Sequence, residues 1–157
     1  MKKRACFIQM HYTDITDNLK RYNPLEKIKN SELFDEVVIA AADVKENKVL
    51  EEWAAFWQVK IRFGNKENVL ARFLSIAEEL SVSTVLRIIP TWYFLDINYV
   101  KTLILELENH REDYGSNCTL HFDGEYATPY QFGQIHQHTK RLQKKHAAGP
   151  HARQSLD

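Results

Sequence analysis

Four short apolar runs limit what this chain can fold into: ACFIQM (5–10), EVVIAA (36–41), VKIRF (59–63) and TVLRII (84–89). Each is of strand length, and EVVIAA is β-branched and continuous, as a strand covered on both faces should be. The segments between them have helical spacing. ENKVLEEWAAFWQ sets Val49, Leu50, Trp53 and Trp57 at helical intervals. NVLARFLSIAEEL puts Val69, Leu70, Phe73, Leu74, Ala77 and Leu80 on one face behind an Asn68 N-cap, and Asp96 caps INYVKTLILELEN. In the polar stretch 13–34, Leu25, Ile28 and Leu33 form one more helical face, and CTLHF (118–122) reads as a fifth strand. Strands that alternate with helices need crossover connections, so the sequence predicts an α/β fold: three layers around a mainly parallel sheet. After Phe122 the pattern weakens to a turn and then a polar helix. The expected division is one folded domain over 1–138 and a basic, partly disordered helix or tail over 139–157.

Lysine plus arginine and aspartate plus glutamate each number 21, but the tail holds Lys140, Arg141, Lys144, Lys145 and Arg153 against Asp157 alone. A nucleic-acid binder would carry its basic excess on a folded face, so nucleic acid is excluded as a partner. Cys6 and Cys118 lie in apolar runs without partner spacing and read as reduced, buried thiols. The apolar run near the start is too short for a signal peptide or a membrane span, and a cytoplasmic location is expected.

The mouth that follows the fourth run is RIIPTWYFLD (87–96), with aromatics where an α/β enzyme usually keeps its chemistry. Trp53 and Trp57, one helical turn apart, read as packing their helix onto the sheet. Trp92 and Tyr93 read as plugging an emptied pocket. The alternative is a stacking surface for a base, a sugar or a partner protein. Turn and cap chemistry alone accounts for Asp43 and Asp96. His136 and His138 lack a nearby third ligand and read as part of a solvated helix rather than a metal site.

FGNKENVLARFLSIAEEL, then TVLRI, then FLD before a helix, resembles the bacterial cytidylyltransferases typified by spore coat polysaccharide biosynthesis protein F. Acylneuraminate and Kdo cytidylyltransferases are wider relatives. FIQ (7–9), SELFDEVVIAAAD (31–43), DYGSN (113–117) and FDGEYATPYQF (122–132) are similar to further family segments, so the resemblance covers roughly residues 4 to 135. It implies a nucleotide-diphospho-sugar transferase-like (Rossmann-like) fold, cut short relative to the family. It also implies CTP and Mg2+ in a reaction that joins a sugar to a nucleotide and releases pyrophosphate. The candidate nucleotide or sugar pocket is Gln9, Asp43, Gly64, Arg72, Arg87, Thr91, Trp92 and Tyr93.

The residues depart from the family where its charge chemistry lies. The phosphate-loop stretch MHYTDITDNLKRYNPLEK contains no glycine that would let backbone close on a phosphate. The two metal positions fall on Thr91 and Tyr126, neither a carboxylate. The expectation is therefore no catalytic residue and no metal site. The chain would be a degenerate member that binds a nucleotide or nucleotide-sugar, or joins a biosynthetic enzyme in a homo- or hetero-oligomer. Two rivals stand. One is an active nucleotidyl- or glycosyltransferase with a non-standard metal site drawn from Asp14, Asp17, Asp96 or Asp123, and the other is a pure interaction module.

Overall fold

The computed structural model describes residues 3–110, 114–116 and 134–137. Its six strands are β1 (Arg4–Met10), β2 (Glu36–Ala42), β3 (Lys60–Gly64), β4 (Thr84–Ile88), β5 (Tyr114–Ser116) and β6 (Gln134–Gln137). They form one sheet in the order β3-β2-β1-β4-β6-β5. The first four are parallel, and β1 is central, Phe7 lying opposite Val38 on one side and Arg87 on the other. β6 runs antiparallel to both β4 and β5.

Five helices connect or follow these strands: α1 (Asp17–Arg21), α2 (Pro24–Asn30), α3 (Leu50–Trp57), α4 (Val69–Glu79) and α5 (Ile97–Asn109). Alternation along each strand divides the core in two. Cys6, Ile8, Met10, Ile39, Ala41, Leu86 and Ile88 face α2, α3 and α5. Ala5, Phe7, Val38, Ala40 and Val85 face α4, through Phe73, Ile76 and Ala77. Phe7 is fully buried, its ring edge-on to Phe73 at 5.5 Å and 83°. That geometry adds about 0.5–1.5 kcal/mol to the burial itself. Cys6 is also fully buried, and burial pushes its thiol pKa far above the ordinary range. At the opposite end from the mouth, Arg4 grips Glu108 of α5 through two hydrogen bonds, 2.9 and 2.7 Å.

Three expectations are revised. The 13–34 stretch is two short helices rather than one, because Asn23 accepts the Leu25 amide and Pro24 supplies a preset first helical residue. Val49 belongs to a 3-10 turn (Lys45–Val49) and is 43% exposed, so Leu50 and Ala54 anchor α3 instead. Residues 134–137 form a strand, not a polar helix, with His136 opposite Val85. CTLHF, Tyr126, His138 and the 139–157 segment lie outside the described residues.

Candidate functional site

The strand order reverses between β1 and β4, which places the ligand crevice of an open parallel sheet at their C-terminal ends. Four loops meet that edge, after β1, β2, β3 and β4. Gln9 and Arg87 project from β1 and β4 on the α4 side, and the Arg87 Nε–H donates to Gln9 Oε1 at 2.8 Å.

The loop after β1 is closed on itself. The His11 amide donates to Asp14 Oδ2 at 2.7 Å, and the Asp14 amide donates back to the His11 carbonyl at 2.9 Å. The Thr13 amide donates to His11 Nδ1, and the Ile15 amide to the Tyr12 carbonyl. The Tyr12 amide donates to Asn47 Oδ1 at 2.9 Å, while Asn47 Nδ2 donates to the Ala42 carbonyl. Asn47 is fully buried and stitches the ends of β1 and β2 together. All five amides from residue 11 to residue 15 thus have acceptors within the protein.

The loop after β3 is built differently. Asn65 Oδ1 accepts the amides of Glu67 and Asn68, and Asn68 Oδ1 accepts that of Ala71, starting α4. Arg72 lies beneath this loop, 4% exposed, and one of its Nη1 hydrogens donates to the Asn65 carbonyl at 2.7 Å. Among the described residues its Nε has no acceptor, and burial holds its pKa below the ordinary arginine value. Gly64 is required by this close packing: a Cβ there would lie 2.9 Å from Arg72 Cγ.

The remaining candidates are spread around the rim. Asp43 is exposed, its carboxylate 3.5 Å from Lys48 Nζ, though its amide joins the site by donating to the Gly64 carbonyl. Pro90 opens a tight turn closed by the Trp92 amide on the Ile89 carbonyl, and Thr91 is exposed at that turn. Trp92 and Tyr93 pack partly buried against the larger core cluster, and Tyr93 meets Tyr22 at 6.2 Å. Phe94, in contrast, is 78% exposed.

The donors among the described residues do not fit Mg2+. Thr91 offers a neutral hydroxyl, Asp14 is spent on the His11 amide, and Asp96 caps α5 through the amides of Asn98 and Tyr99. Asp17 is fully exposed on α1. Among the described residues, no three His, Cys, Asp or Glu side chains are grouped to hold a metal ion. Sequence reading missed Asn47 and Asn65. For Asn65 the available signal was an asparagine directly after a strand, where an amide side chain can tie down loop backbone; Asn47 lies five residues beyond β2 and carried no such signal.

An α/β sheet with its crevice at a switch point defines a nucleotide-binding-type fold, and comparison with known proteins narrows it. The sequence model of the cytidylyltransferase family matches residues 22–157, so the chain belongs to that family. A solved cytidylyltransferase from Leptospira borgpetersenii superimposes with a TM-score of 0.77 at 20% identity, covering 95% of this chain and 66% of that one. The CMP:2-keto-3-deoxy-manno-octonic acid synthetase complexed with CTP has a TM-score of 0.68 at 10% identity, covering 94% and 79%. The 4-diphosphocytidyl-2C-methyl-D-erythritol synthase of Anaerococcus prevotii has a TM-score of 0.64 at 13% identity, covering 93% and 77%. No curated protein matches the sequence. The chain thus spans about two thirds of the length of the Leptospira protein. Among the described residues, no helix is long and apolar enough to cross a membrane.

Proposed function

We propose that this chain is a catalytically degenerate member of the cytidylyltransferase family, acting as a binding or partner subunit in the nucleotide-sugar chemistry of surface polysaccharides. The proposal includes kinship with the spore coat polysaccharide group and a cytoplasmic location. One observation carries it: the loop after β1 spends every amide from His11 to Ile15 on acceptors within the protein. A triphosphate needs such amides free and converging, with a cation to neutralise the developing charge. The carboxylate-poor turn at Thr91 points the same way. What this chain's residues do under this reading is hold a shape. Gln9 and Arg87 fix the crevice floor, and Asn65, Asn68 and Arg72 keep the β3–α4 loop ready to face a base or sugar.

Scanning fluorimetry and pyrophosphate release test it, with CTP and sugar acids, each with and without Mg2+. The expected result is no pyrophosphate and at most a small, Mg2+-independent thermal shift. A Mg2+-dependent shift accompanied by turnover would overturn it.

A further inference from the structure

A second concave surface lies on α3, lined by different residues from those of the crevice. Its volume is about 540 Å3, within the 300–1,000 Å3 span of small-molecule sites. Among the described residues it is lined by Trp53, Phe56 and Trp57 of α3, together with Glu52 and, from α1, Lys20. Spacing of i, i+3 and i+4 sets the three rings side by side on the helix. Trp53 and Trp57 rest partly on the core, but Phe56 is 76% exposed. Its ring stands at 88° to that of Trp57, centroids 5.1 Å apart, so the two make a floor and a wall. The anchoring of α3 is already supplied by Leu50 and Ala54, both buried, so Phe56 adds nothing to the core.

The polar groups decide what fits this corner. Lys20 and Glu52 have opposite signs, and a ligand of either charge would meet repulsion from one of them. Among the described residues Lys20 makes one ion-pair contact, 3.4 Å to exposed Asp17, and Glu52 has no ion-pair partner. A neutral ring that is apolar on its faces and hydroxylated at its edge satisfies all five residues together. Its C–H face would lie on an aromatic ring, one hydroxyl would donate to Glu52, and another would accept from Lys20. The geometry points to a glycan-binding site on α3 that takes a neutral pyranose residue of an oligosaccharide. The site does not depend on the reading of the crevice.

The test is saturation-transfer NMR on the full chain, with maltotriose, cellotriose and chitotriose as probes and Trp fluorescence titration as the affinity readout. At least one probe is expected to bind in the millimolar range, with transfer strongest to ring C–H protons. Phe56→Ala, an exposed position, should weaken binding at least about tenfold with the fold unchanged by circular dichroism. Glu52→Gln should weaken it less, and Trp92→Phe not at all. No transfer from any of the three probes overturns the proposal, as does binding that Phe56→Ala leaves intact. A dimer that Phe56→Ala dissociates would also overturn it, by making a second copy the occupant.

Discussion

The loops after β1 and β3 flank the same sheet edge, yet they have gone opposite ways. After β1 the backbone is self-satisfied, with His11 and Asp14 capping each other and Asn47 holding the Tyr12 amide. After β3 the turn is shaped from below by a buried arginine that has no carboxylate partner among the described residues. A buried cation without a counter-ion is costly unless something else favours it. The first loop is tied by backbone and side-chain acceptors of its own neighbourhood, and the second by two asparagine caps above a buried guanidinium. The contrast teaches that one sheet edge can carry two loops whose polar groups are satisfied in entirely different ways.

The largest blow to the contrast should come from Asn47→Ala. It strands the part-buried Tyr12 amide and removes a contact to the Ala42 carbonyl, and about 2 kcal/mol of stability should go, read from urea midpoints. If the loop after β1 is instead held by the His11–Asp14 pair alone, the midpoint will hardly move. Gly64→Ala tests the other side. Its new Cβ collides with the Arg72 stem, and about 1–2 kcal/mol should be lost. Added to Arg72→Ala, the same substitution should cost far less, and the double-mutant cycle measures that coupling.

Acid provides a control remote from both loops. Burial alone would raise the pKa of Glu36, but Lys60 at 2.6 Å and Lys3 at 3.1 Å outweigh it and hold it below the ordinary 4.5. A depressed folded value gives stability that is complete above the unfolded pKa and lost as pH falls through the folded one. Urea midpoints should therefore drop on acidification below the ordinary glutamate range, and Glu36→Gln should flatten that part of the drop. The smallest effect is expected from Thr91→Asp. The position is exposed, so stability should change by less than about 0.5 kcal/mol. Mg2+ should add no thermal shift while the β1 loop stays closed. A clear shift would mean that a single carboxylate at this turn is enough to hold the metal.

The sheet was legible because β1, β2 and β4 are mostly buried on both faces. Runs such as EVVIAA have no other use than a covered parallel strand, and the four of them predict β1 to β4 to within a residue or two. Asn68 and Asp96 were equally readable as caps, since a side-chain oxygen just ahead of an apolar period has one obvious task. The site was less so. Gln9 and Arg87 do meet, but Asp43 turns out to Lys48, and Phe94 stays in solvent instead of filling the mouth. Which way a rim side chain turns depends on neighbours remote in sequence, and hydrophobic period does not encode them. Asn47 shows the same limit: it is fully buried within a charged stretch, for the sake of an amide 35 residues away.

The burial of Cys6 has a practical consequence. Its side chain lies on the face of the central strand covered by α2, α3 and α5, where a thiol-directed reagent can reach it only after that helical layer has lifted from the sheet. In a Cys118→Ser background its modification rate therefore becomes a clock for the lifting of that helical layer. Timed against loss of circular dichroism, that clock would tell whether the helices leave the sheet before it unfolds or together with it.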